Sequence, residues 1–146
     1  MMDSLRALED WAEPLLRQLS QAEQRKLART VARELRRSQA GRIGQQRNPD
    51  GSLYEPRLDR RRLRERMFPR LRTASRLRML VDPEGAAVGF TGRTARIARV
   101  HQLGLRDQVQ PGGPTHLYAR RELLGFTPAD VELVRDLLLR HLTARG

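Results

Sequence analysis

Catalysis needs groups that exchange protons or attack bonds, and in this chain they are few and scattered. The imidazoles are His101, His116 and His141. A metal centre or acid-base pair needs such groups at helical or turn spacing, as in His-x-x-x-His or His-x-x-Glu, and none of the three has that partner. A constellation rather than a residue type marks a site, so each reads as a helix-face or core-edge histidine. Ser4, Ser20, Ser38, Ser52 and Ser75 sit in no strand-turn-helix elbow that would expose a nucleophile. The glycines around Phe90 lack phosphate-loop spacing, and the absence of cysteine excludes thiolate chemistry and disulfides. The sequence therefore predicts no catalytic residue, no metal site and no cofactor.

Guanidinium is the abundant functional group. Of 29 basic residues only Lys26 is lysine, and the net charge is +12. Residues 57 to 78 hold ten arginines against Asp59 and Glu65, a local excess of +8. Clustered arginines can neutralise phosphates with little base reading. They also pair with carboxylates in two-point contacts and stack on rings, which is why arginine is favoured at protein interfaces. The strip has no stacking aromatic apart from Phe68, and no helix-turn-helix or zinc pattern is present. We read Arg57, Arg60, Arg61, Arg62, Arg64, Arg66, Arg70 and Arg72 as partner-binding residues, with protein partners ahead of DNA. The alternative is a non-specific nucleic-acid-binding protein.

Positioning these groups falls to elements whose apolar spacing is legible. Leu5, Leu8, Trp11, Ala12, Leu15 and Leu19 lie three or four apart and predict a helix that Pro14 should kink or restart. Ser20 and Glu23 form a capping box for a second helix, with Ala28, Val31 and Leu35 as its stripe. Gly41 and Gly44 are expected to end it. Residues 41 to 58, with Asn48-Pro-Asp-Gly51, read as a loop pinned by Leu53 and Tyr54. A polar helix over 59 to 68 would stop at Pro69. Alternation at Leu77, Met79 and Val81, a turn at Asp82-Pro-Glu-Gly85 and a run from Ala86 to Phe90 predict a hairpin. A short helix from Thr94 to Leu103 should close at Gly104 in the left-handed region, with His101 holding a polar contact beneath it. A third strand near 115 to 118 would join the hairpin. Thr127 as N-cap and Pro128 at the first helical position open the clearest helix, with Val131, Val134, Leu137 and Leu138 as its face.

Hydrophobic residues make up 38% of the chain and aromatics 4%, which predicts a thin core and segments that order against partners. Asp3, Glu9, Asp10 and Glu13 interrupt any apolar run at the start, arguing against a cleaved signal peptide, and no eighteen-residue apolar stretch exists to span a membrane. Cytoplasmic synthesis is the expectation. The fold class is α+β: N-terminal helices, a small antiparallel sheet, and a C-terminal helix packed on it. We expect one domain over 1–146, with a helical part at 1–40, a basic loop region with scope for mobility at 41–76, and the sheet and last helix at 77–146.

Three segments in order, Arg47-Asn-Pro-Asp-Gly-Ser-Leu-Tyr-Glu-Pro-Arg57, Ile97-Ala-Arg-Val-His-Gln-Leu-Gly104 and Ala119-Arg-Arg-Glu-Leu-Leu-Gly-Phe-Thr-Pro-Ala-Asp130, resemble the phage virion morphogenesis, or tail-completion S, family of contractile-tailed phages. The resemblance runs through nearly the whole chain. It implies a small α+β protein without catalytic residues that completes the tail at its head-proximal end and joins head to tail. It further implies other tail or neck proteins as partners, a ring of identical subunits, and residence in the host cytoplasm and then the virion tail, with contact to DNA left open. Within these segments Gly51, Tyr54, His101, Gly104, Gly125 and Thr127 are the candidate structural residues.

Overall fold

Residues 2–58, 65–83, 85–108 and 110–145 are described by a computed structural model of the chain. Among the described residues four helices and four short strands follow one another: α1 (Met2–Leu16), α2 (Gln21–Gly44), β1 (Arg78–Asp82), β2 (Gly85–Gly89), α3 (Gly92–Leu103), β3 (Arg106–Gln108), β4 (Thr115–Leu117) and α4 (Pro128–Arg145). The class is α+β. They form two compact units, one of residues 1–38, 79–88 and 126–146 and one of residues 39–78 and 89–125.

In the first unit Pro14 lies inside the last turn of α1, where it supplies no amide to the turn before it, and the helix ends two residues later at Leu16. The chain closes through tight turn bonds, Gln18 N to Leu15 O and Leu19 N to Leu16 O. The Gln24 amide from α2 donates to the carbonyls of Leu16 and Leu19 at 2.7 and 3.2 Å. The capping box forms as read: Glu23 N donates to Ser20 Oγ and Ser20 N to the Glu23 carboxylate. Ala12, Leu19, Leu27 and Leu138 make the buried cluster, with Trp11, Leu16, Val31, Val134 and Leu142 against it. The principal helix partner of α4 is α1, where the Arg135 guanidinium lies 5.6 Å from the centre of the Trp11 ring.

The start of α4 is locked twice. Asp130 N donates to Thr127 Oγ and Thr127 N to the Asp130 carboxylate, both at 3.0 Å, while the Ser38 hydroxyl donates to the same carboxylate. Asp130 is buried, so a charge that would be costly alone is held by two donors, Thr127 N and the Ser38 hydroxyl, close to the positive end of a helix.

Several expectations need correction. α2 does not stop at Gly41; it continues to Gly44, and the loop begins there. The expected single sheet is two separate two-stranded sheets: β1 pairs with β2, and β4 pairs antiparallel with β3, Arg106 opposite Leu117 and Gln108 opposite Thr115. Arg106-Asp107-Gln108 has no apolar alternation to announce a strand, which is why its pairing with β4 escaped the sequence reading. Leu53 does not pack down but is 65% exposed, since in extended chain successive side chains point oppositely and Tyr54 takes the inward position. Most of the polar helix expected over 59 to 68 lies outside the described residues, and residues 65 to 68 have no helical structure.

Candidate functional site: a side-chain clamp on residues 119 to 125

Residues 119 to 125, Ala-Arg-Arg-Glu-Leu-Leu-Gly, belong to no helix or strand, yet Arg121 and Leu123 are buried. Buried backbone must find partners. Here side chains supply them. Gln102 of α3 accepts from Leu123 N and Leu124 N at 2.8 and 2.9 Å and donates to Leu124 O at 2.8 Å. Gln39 of α2 donates to Gly125 O and accepts from Gly125 N. Asn48 accepts from Glu122 N at 2.9 Å. The Arg42 guanidinium is buried and donates to Glu122 O, Leu123 O, Arg47 O and the Gln39 side chain.

The clamp also fastens the turn after α2. Arg121 donates to Glu55 O at 2.7 Å and Pro56 O at 3.1 Å. Tyr54 is buried, its hydroxyl donates to Glu122 O at 2.8 Å, and burial pushes its ionisation upward. Gly51 has φ +91° and its amide closes the turn on Asn48 O, while Asp50 accepts from Ser52 N and Oγ. Gln46 holds both Met67 N and Met67 O; Gln46 and Phe68 each have left-handed φ, 60° and 65°, a strain these bonds and ring contacts sustain.

Two glycines are required by close approach. Gly104 ends α3 with φ 64° and ψ 59°, and a Cβ there would stand 3.0 Å from Arg120 N. A Cβ on Gly125 would fall 2.4 Å from Pro49 Cγ. His101 is placed differently from expectation. Its Nδ1 is buried without a hydrogen-bond partner among the described residues, and its ring meets Phe68 and Tyr118 edge-on at 4.8 and 5.1 Å. Tyr54 abuts Phe68 and His116 abuts Tyr118, so five rings form a row. Burial, with the Arg121 cation nearby, pushes the His101 imidazolium down to about 4, so the ring is neutral at physiological pH.

The structure thus brings together residues from all three motif segments: Asn48 and Tyr54, His101, Gln102 and Gly104, and Arg120 to Gly125. Thr127 lies in the other unit as the cap of α4. Of the strip, Arg57 is half-buried and paired with Glu65 at 3.6 Å, Arg66 and Arg70 are exposed, and Arg72 rests its guanidinium on Gly44; Arg60, Arg61, Arg62 and Arg64 lie outside the described residues. Sequence reading missed Gln39, Arg42, Gln102 and Arg121. Gln39 and Arg42 continue the stripe of Ala28, Val31 and Leu35 at three- and four-residue steps, and polar residues in line with an apolar stripe were the available signal.

Nothing in this arrangement converges on a reacting atom. Among the described residues no group of three or more His, Cys, Asp or Glu side chains could hold a metal, and no helix is long and apolar enough to cross a membrane. The site holds irregular chain in one shape.

The model of the phage virion morphogenesis family matches residues 3–143, and this chain belongs to that family. It is 35% identical to tail completion protein S of Escherichia phage P2, an alignment of 148 residues covering 97% of this chain and 99% of that protein. No solved structure matches.

Proposed function

We propose that this chain is a non-catalytic virion protein that completes the tail of a phage or phage-tail-like particle, at the head-proximal end, and lets the tail join the head. The observation that carries the reading is the end-to-end similarity to tail completion protein S. The clamp supports it: motif residues are engaged in fixing backbone rather than in lining a cavity. The subunits act as a closed ring of identical copies, in which one face of each copy meets a different face of the next. The basic strip, Arg57, Arg60, Arg61, Arg62, Arg64, Arg66, Arg70 and Arg72, docks on carboxylates of neighbouring tail or neck proteins. Assembly takes place in the host cytoplasm, and the protein then stays in the virion tail.

Immunogold electron microscopy of purified particles tests the placement. Label confined to the head-proximal end of the tail is expected; label along the tube or at the distal end would contradict it.

A further inference from the structure

The positive charge is not spread over the molecule. The first unit has 11 basic and 11 acidic residues, and the second has 18 basic and 6 acidic, so the whole excess of +12 belongs to the second. Arg42 and Arg121 turn inward on backbone carbonyls. Others face water. Helix α3 contains no acidic residue, and its Arg93, Arg96 and Arg99 are exposed and three apart, which places them on one side of the helix. Arg96 bonds Asp107 of β3 at 2.9 Å, so that strand lies against this side, with exposed Arg106 preceding the carboxylate. Arg76, also exposed, donates to Thr94 of α3 at 3.3 Å and so brings the end of the basic strip to the same helix.

We propose that this face of the second unit, Arg76, Arg93, Arg96, Arg99 and Arg106, binds the sugar-phosphate backbone of duplex DNA without reading base sequence. Planar guanidinium forks match phosphate oxygens, and duplex DNA offers about one negative charge per 1.7 Å of its length. A second copy of the chain does not fit this role, because its first unit is neutral and its second equally basic. Single strands fit poorly as well. Bases need rings to stack on, and Tyr54, Phe68, His101, Tyr118 and His116 are engaged edge-on with one another.

The test is fluorescence anisotropy of the full-length protein with a short labelled duplex of arbitrary sequence, titrated at salt concentrations between about 50 and 200 mM. Three proteins are compared: the parent; a variant carrying R93Q, R96Q, R99Q and R106Q; and a control carrying R25Q, R29Q and R33Q in the neutral unit. Circular dichroism melting verifies that each is folded. The expected result is binding by the parent whose affinity falls steeply with salt, a slope shallower by about three to four in the α3–β3 variant, and little change in the control. Equal slopes in the two variants, no binding by the parent at the lowest salt, or equal capture of polyglutamate, which would mark the face as a site for acidic protein, would each overturn the proposal. Such a failure leaves the tail-completion reading untouched, since that reading is scored by particle assembly and not by DNA affinity.

Discussion

At the scale of single residues this chain is notable for polar side chains that stand in for secondary structure. Gln102 satisfies three backbone groups of a buried irregular segment. Leaving such groups unpaired costs about 1–3 kcal/mol apiece, partly recovered by water and relaxation. Gln102→Leu should therefore lower unfolding free energy by about 3 kcal/mol, whereas Gln102→Glu keeps both acceptor contacts and should cost less; urea denaturation of the two variants measures the difference. His101 gives a pH prediction. The ring is neutral in the fold, with its imidazolium held down to about 4 by burial first and by Arg121 second. The unfolded chain takes up its proton near 6.5, so stability is full above that pH and is lost as pH falls toward 4. The loss is on the order of 2 kcal/mol after discounting for the partly exposed ring. Melting temperatures of the parent and His101→Phe, followed from neutral pH to 4.5, should converge on acidification as the parent loses this contribution; parallel curves would show that His101 is not the group responsible.

At the scale of elements, side-chain caps mark where α2 and α4 begin. Thr127 and Asp130 exchange bonds at the start of α4, and Ser38 adds a second donor to a buried carboxylate. Thr127→Ala should cost about 1–2 kcal/mol, more than Ser20→Ala in the exposed box that opens α2. Thermal melts of the two variants give the comparison, and equal losses would argue that burial of the α4 box adds nothing. These caps were legible in the sequence because a capping box is a local pattern with a fixed offset. The hairpin was legible for the same reason: alternation flanks a turn whose Gly85 amide donates to Asp82. What sequence could not reveal depends on residues far apart in the chain. The partner of β4 is a three-residue polar strand, and the clamp joins Gln39 to Gly125 and Arg42 to Leu123 across more than eighty residues. Gly104 and Gly125 stood out only as glycines; the structure supplies the atoms, Arg120 N and Pro49 Cγ, that exclude a side chain.

For the molecule as a whole, each of the three segments that marked the family resemblance brings residues to one clamp, so the resemblance and the architecture share a physical cause. A chain with few aromatics and only a handful of fully buried large side chains cannot rely on apolar burial alone. It fixes irregular backbone with buried amides and guanidiniums instead, and keeps exposed leucines such as Leu53, Leu58 and Leu117 on the unit that carries the charge excess. An assembly subunit needs this combination: a fixed shape and an outward surface of mixed apolar and cationic groups. Membership of the virion morphogenesis family and near full-length identity of 35% to tail completion protein S place such a subunit in phage assembly. The most direct measurement is deletion of this gene from the phage or prophage that encodes it, followed by electron microscopy and titre of the induced lysate, with a plasmid copy restoring it. Separate filled heads and free tails, rejoined into infectious particles by the plasmid copy, are the predicted outcome. Joined particles at undiminished titre without the gene would contradict the account.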